Sequence, residues 1–182
     1  DTPTFHFIYT TSNHSPYKIE DSLLDYDPAT VMPHVGEDLR SNKTRNKELA
    51  TYRYSDKALF SFVDSMKKAY PDSLFIITGD HSNLFGDLNN TSLIHRDYTL
   101  RDTFCTVALL QHPDLDSNMI TTQKGTHMSL MPTIIEAIAP KGFEYYSITP
   151  SLFDDQPETL VTPYQWITDS LMGKVINHQL NQ

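Results

Sequence analysis

Asp80 and His81 stand in the stretch "LFIITGDHS", where an apolar run passes through Gly79 into a carboxylate and an imidazole. Together they suit a divalent metal ion, the aspartate supplying negative charge and the histidine a borderline nitrogen donor. Two ligands do not complete a metal site. A bland reading therefore stands beside this one, in which Asp80 caps a turn and His81 faces solvent. Other histidines widen the set. His14 lies in "YTTSNHSPY", again just past a strand-like segment. His95 and Arg96, in "SLIHRD", follow the Asp-His pair by a short loop. The Arg96 guanidinium suits a phosphate or sulfate oxygen, or a surface pair with Asp97 or Asp102. His127 in "GTHMS" and His112 in "LQHPD" read as structural residues, while His6, His34 and His178 stand in no motif.

These side chains need elements that carry them to one place. "TFHFIYTT" (4–11) alternates and is rich in aromatic and β-branched residues, which predicts a strand. "SLFIIT" (73–78) and "FCTVALL" (104–110) are short continuous apolar runs of the kind found in buried parallel strands. Ahead of both, over residues 46–70, Leu49, Tyr52, Leu59, Phe62, Val63, Met66 and Ala69 recur at helical spacing. Lys67 and Lys68 stand near the C-terminus of that helix, where its dipole favours cations, and Pro71 blocks its continuation. "LMPTIIEAIA" (130–139) predicts a second helix with Pro132 in its first turn. The tail "TPYQWITDSLMGKVINHQL" reads as a final helix. Residues 18–44 are polar, with Pro28, Pro33 and Gly36, and read as a surface excursion. "NKT" (42–44) and "NNTS" (89–92) fit an N-glycosylation pattern and otherwise are polar loops.

Strands alternating with helices predict an α/β fold: a layered, mostly parallel sheet with flanking helices, in which the three apolar runs are neighbouring strands. In such sheets ligands bind beyond the carboxyl ends of the strands. Asp80 stands at one such end and His14 at another, so the two are expected at the same sheet edge.

Composition bounds the partners. The chain has 182 residues, 38% of them hydrophobic and 20% charged, so it reads as globular rather than disordered. Its formal net charge of -9 argues against a nucleic-acid partner, which would need a basic face. The single cysteine, Cys105, excludes an internal disulfide and reads as a small core residue. No apolar run reaches the length of a membrane span, and no signal peptide is present. The chain opens on Asp1 and almost at once enters a strand-like segment, so it reads as a piece of a longer protein.

Four segments in one order, "SNHSPY", "YSDKALFSF", "IITGDH" and "THMSLMPTI", resemble the sulfatase-like branch of the alkaline phosphatase superfamily over residues 4–153. Within it the chain looks most like phosphoglycerol transferases of the lipoteichoic acid synthase type and phosphoethanolamine transferases. The resemblance implies that residues 1–182 are the C-terminal part of an alkaline phosphatase-like catalytic domain. It implies that Asp80 and His81 bind a catalytic Mn, Mg or Zn ion, and that His14 lies at the substrate phosphate. His95 matches an additional histidine of the phosphoethanolamine transferases, with Arg96 beside it at the substrate.

By the family's chemistry, a metal-activated Thr or Ser forms a covalent intermediate that water or an acceptor hydroxyl resolves. That nucleophile has no match in these residues. The family's "GDHG" reads "GDHS" here, and Ser129 stands where an Asp is usual, so no role passes to Ser129. The implied activity is phosphoglycerol or phosphoethanolamine transfer to a cell-envelope acceptor, with a phospholipid or glycan-type substrate. The parent would be anchored at the extracytoplasmic face of a bacterial inner membrane by an N-terminal part, the fragment itself being soluble and inactive alone. The alternatives are a sulfatase acting on sulfate esters, and a non-catalytic α/β domain with a degenerate site.

Overall fold

Asn42 starts the longest element. Its side-chain oxygen accepts the Arg45 N–H at 3.0 Å and caps helix α1, Lys43–Ala69. The helix begins three residues ahead of the expected 46, at the "NKT" tripeptide. It stops as expected before Pro71, where the Tyr70 N–H donates to the Met66 carbonyl at 2.7 Å. The computed structural model describes residues 3–23, 27, 36–82, 97, 99–116, 118, 119, 124–177 and 179–181. The chain divides into two units, Asp1–Leu109 and Leu110–Gln182.

In the first unit, α1 buries Glu48, Ala50, Thr51 and Val63. The predicted apolar stripe is only partly covered, since Phe62 is 42% exposed. Strand β1, Phe75–Thr78, pairs with β2, Ala108–Gln111, in a two-stranded sheet. The Thr78 hydroxyl donates to the Val107 carbonyl at 2.9 Å, and a Cβ on Gly79 would meet Thr106 Oγ1 at 2.5 Å. Residue numbers rise on one side and fall on the other, which is the order of antiparallel neighbours. Ahead of β2 the structure departs from the expected strand 104–110: Phe104 ends a short helix, α2, Leu100–Phe104. Thr99 and Asp102 form a capping box there, the Thr99 N–H donating to Asp102 Oδ2 at 2.8 Å. Cys105 closes this helix half-buried, and burial pushes its thiol pKa up, against the pull of Arg101 and with the push of Asp102.

Residues 4–11 correct the sheet expectation. They pair with no described strand, and Phe5, Phe7, Ile8 and Tyr9 are 62–82% exposed. β-propensity is a measure of packing against neighbours, so an alternating pattern yields a ladder only where a partner lies beside it. In place of one layered, mostly parallel sheet, the described residues form the β1–β2 pair and a four-stranded sheet in the second unit.

The second unit is built on helix α3, Leu130–Ile138, which follows a 3-10 turn at His127–Ser129 and has Pro132 in its first turn as expected. Its core mixes Leu152 and Leu160 with fully buried hydroxyls of Ser129, Thr133 and Ser151. Thr133 Oγ1 donates to the Ser129 carbonyl at 2.5 Å and accepts the Leu152 N–H at 2.8 Å, tying the helix to the following turn. Thr133→Val keeps the shape and leaves the buried Leu152 N–H without its acceptor. The expected loss of unfolding free energy is about 1–3 kcal/mol, against a much smaller one for Thr133→Ser, as read from urea midpoints. Equal midpoints for Val and wild type would show that the hydroxyl does not hold the turn.

The tail corrects a second expectation. It forms no helix. Strands β3 (Leu160–Val161), β4 (Gln165–Ile167), β5 (Met172–Ile176) and β6 (Gln179–Asn181) make an antiparallel meander, with Trp166 opposite Gly173. Turn chemistry breaks the apparent helical run. The Thr168 N–H donates to the Leu171 carbonyl at 2.8 Å, and the Leu171 N–H returns to Thr168 Oγ1 at 3.0 Å. Asn177 adopts φ +50, a left-handed conformation that asparagine tolerates and a helix does not contain. Among the described residues no helix is long and apolar enough to cross a membrane.

Candidate functional site

Two successive turns place His14 at the tip of a loop. The His14 N–H donates to the Thr11 carbonyl at 3.1 Å, and the Tyr17 N–H donates to the His14 carbonyl at 2.9 Å. Both flanks of His14 are tied to α1. Ahead of it, the Ser55 hydroxyl donates to Asn13 Oδ1 at 2.5 Å. Behind it, the Tyr17 hydroxyl donates to Glu48 Oε1 at 2.8 Å, while Arg45 pairs with the other carboxylate oxygen. Tyr17 has φ +57, a left-handed conformation that costs an ordinary side chain roughly 1–2 kcal/mol and persists where the surroundings over-determine it. Glu48 is 2% exposed, and a carboxylate so buried is tolerated only with partners such as these.

The imidazole of His14 is oriented by its own loop. Nδ1 lies 2.6 Å from the Ser15 carbonyl oxygen. A carbonyl can only accept, so in the neutral ring the proton sits on Nδ1 and Nε2 carries the lone pair. His14 lines a cavity of about 760 Å³, together with Tyr9, Thr11, Lys18, Glu20 and Tyr54 among others. Acidic, basic and aromatic groups thus meet around a histidine whose Nε2 can exchange a proton.

Asp80 and His81 follow β1 directly, as the sequence places them. His81 repeats the device of His14: its Nδ1 lies 2.7 Å from the Ser82 carbonyl, which leaves Nε2 as the donor atom. That Nε2 is 3.6 Å from Asp80 Oδ2, while Asp80 Oδ1 accepts the His81 N–H at 2.9 Å. Two ligands of one tetrahedral ion, each bonded at about 2.0–2.2 Å, lie about 3.3–3.6 Å apart. The separation and the mixed oxygen–nitrogen donor set therefore fit a single divalent cation. Both side chains are more than half exposed, so a ligand can reach them. Among the described residues no group of three or more His, Cys, Asp or Glu side chains converges, so Asp80 and His81 supply two positions of a cage and no more. The Ser82 carbonyl on His81 Nδ1 is the kind of outer hydrogen bond that fixes the tautomer of a ligating histidine.

The structure brings Asp80 and His81 together, and His14 stands in a cavity of its own. Neither lines the His14 cavity, and with residues 4–11 outside every described ladder His14 has no sheet edge to share with Asp80. His95 and Arg96 lie outside the described residues. His112 is held locally, its Nδ1 accepting the Asp114 N–H at 3.1 Å, in keeping with a structural role. His127 opens the 3-10 turn before α3 and is exposed, while Ser129, which ends that turn, is fully buried with its carbonyl accepting from Thr133 Oγ1.

Asn13 and Tyr17 stand in "SNHSPY" and Ser55 in "YSDKALFSF", yet the sequence assigns no role to them or to Glu48. Beyond those motifs, the local signal for the grip is a Glu and a Ser seven residues apart, which share one face of a helix. Their loop partners, 31 and 42 residues away, leave no trace in spacing.

The family model described as Sulfatase matches residues 1–139 of the chain. No curated protein and no solved structure gives a significant match.

Proposed function

Because the chain belongs to the sulfatase family, we propose that it carries part of the active centre of a metal-dependent transferase that moves a phosphoglycerol or phosphoethanolamine group to a cell-envelope acceptor. The observation that carries this reading is the 3.6 Å approach of His81 Nε2 to Asp80 Oδ2, with the His81 tautomer set by Ser82. Family enzymes generally use a metal ion, and here Asp80 and His81 would hold it as Mn, Mg or Zn. When bound, a divalent ion polarises a phosphoryl or sulfuryl oxygen and lowers the pKa of a hydroxyl.

The chain's own residues do the rest. His14 Nε2 takes up a proton and donates it to an oxygen of the transferring group or to the leaving oxygen, steadying charge that grows there. Lys18 adds a positive charge to the same cavity. In this reading His95 and Arg96 belong to the substrate side, and the Thr or Ser that forms the covalent intermediate lies outside these residues. The layered parallel sheet of an alkaline phosphatase-like domain then belongs to the complete domain, anchored at the extracytoplasmic face of a bacterial inner membrane and meeting a phospholipid or glycan-type substrate.

Sulfate-ester hydrolysis is the second reading, favoured by the description of the matching family. "SNHSPY" tips the choice toward transfer. The test gives the full-length protein a phosphoethanolamine or phosphoglycerol phospholipid in one arm and an aryl sulfate in the other, with intact-mass detection of a covalent adduct. Turnover of the sulfate alone sinks the transferase reading, and turnover of neither sinks both. His14→Ala is expected to lower turnover by about 10²–10⁴-fold, the usual worth of a positioned acid or base, with metal content unchanged. Full activity in that variant would remove His14 from the site.

A further inference from the structure

The His14 loop touches α1 at two points, and those points have one geometry. Glu48 and Ser55 are seven residues apart, two helical turns, and so lie on the same face of α1. Glu48 receives the Tyr17 hydroxyl from the residue three after His14, and Ser55 donates to Asn13, the residue immediately before it. Tyr54, beside Ser55, supplies a wall of the cavity that His14 lines. One face of α1 is therefore the bed of the loop, gripping it on both sides of the imidazole.

Glu48 is an unusual choice for a helix position that only needed packing. It is 2% exposed, which sets the desolvation of a carboxylate against the fold. An ion pair to Arg45 one turn away does not require that burial, because such a pair forms as well on an exposed helix face. What the burial achieves is the reach to Tyr17, 31 residues away, whose backbone stands in the left-handed region. The bonds that hold that conformation include the Tyr17 N–H to the His14 carbonyl, the Ile19 N–H to the Tyr17 carbonyl, and the Tyr17 hydroxyl to Glu48.

We infer that Glu48, acting through Tyr17, is a positioning residue that holds His14 in its working place, with Ser55 and Asn13 as the second tie. The role assigned to His14 rests on the function proposed above. The grip itself does not, and the two are tested separately.

The first measurement is hydrogen exchange, followed by mass spectrometry, on peptides covering residues 11–20 of the full chain. Tyr17→Phe removes one oxygen and keeps the ring. It is expected to speed exchange of this segment by about tenfold, the upper range for one lost hydrogen bond, while α1 keeps its protection. Glu48→Ala should do the same, and Glu48→Gln, which keeps an acceptor, should return exchange to within about threefold of wild type. Unchanged loop exchange in Tyr17→Phe overturns the proposal. So does equal loosening of loop and helix, which would mark Glu48 as a residue of general stability. If Glu48→Ala does not fold, Tyr17→Phe and Ser55→Ala carry the test by themselves.

The second measurement is turnover in the full-length enzyme. Tyr17→Phe should lower kcat about tenfold or less and leave metal content unchanged, with Glu48→Gln restoring most of it. A loosened loop with unchanged kcat overturns the positioning role. If His14→Ala is itself fully active, the function proposed for His14 has failed, and the exchange result still decides whether the grip exists.

Discussion

Asp80→Ala in the full-length protein is expected to lose bound metal and turnover together. Asp80 offers the only full negative charge of the described pair, and its Oδ2 stands 3.6 Å from His81 Nε2 with no other His, Cys, Asp or Glu cluster among the described residues to take its place. Changes in the outer hydrogen bonds of metal ligands already cost about 10–100-fold in affinity or activity, so removal of a direct ligand should exceed about 100-fold. His81→Ala should behave alike. His14→Ala should separate the two quantities, since its Nε2 belongs to a cavity that neither Asp80 nor His81 lines. Metal content and turnover are to be measured in the same preparations. Full metal occupancy in Asp80→Ala would sink the assignment, and loss of metal in His14→Ala would make His14 a ligand. The 182-residue chain by itself, with two ligands among its described residues, should bind Mn or Zn weakly in a calorimetric titration, because a two-point site leaves most of the coordination sphere to water.

Gly173→Ala should unfold the second unit's sheet more readily than any conservative change at its surface. An added Cβ there would fall inside van der Waals contact with the Asn181 carbonyl oxygen and with the Trp166 indole at Nε1 and Cε2. These atoms are already bonded to each other, the Trp166 Nε1–H donating to the Asn181 carbonyl at 2.9 Å. The methyl group must therefore break that bond, shift the indole, or part β5 from β6 where Lys174 faces Asn181. Backbone atoms cannot yield as a flexible side chain does, and the expected cost is about 3 kcal/mol, the upper range for overpacking. Trp166 is the single tryptophan of the chain, so its fluorescence reports on this sheet alone during denaturant titration. A shift within about 0.5 kcal/mol would show that the sheet accommodates the methyl group. Gly125→Ala makes a useful contrast, since the atom its Cβ would meet is the far end of the Leu152 side chain, which can rotate away.

Why some elements were legible and others were not follows from where their information sits. Helix α1 and helix α3 were readable because periodicity, dipole-matched charge and proline act within a few residues: Lys67 and Lys68 in the last turn, Pro71 beyond it, Pro132 in a first turn. Strand β1 and the turn carrying Asp80 and His81 were readable for the same reason, an apolar run ending at Gly79. The capping box of Thr99 and Asp102 was equally local, and the expected strand 104–110 took in the last residue of that helix, Phe104. The meander at residues 160–181 was misread because its apolar residues fit a helical period as well as a strand, and the deciding features are the Thr168–Leu171 turn and the left-handed Asn177.

By itself the sequence determined which groups are available and which of them are neighbours along the chain: the Asp80–His81 pair, the His14 loop, and the ends of two helices. Only the tertiary structure decided what those groups face. An alternating segment such as residues 4–11 becomes a strand only beside a partner, and its own residues do not carry that partner. The tautomers of His14 and His81 were set by the Ser15 and Ser82 carbonyls, whose directions depend on backbone turns. The grip on His14 came from Glu48 and Ser55 across 31 and 42 residues, a distance over which hydrogen bonding leaves no periodic mark because it depends on proximity in space and on nothing in between.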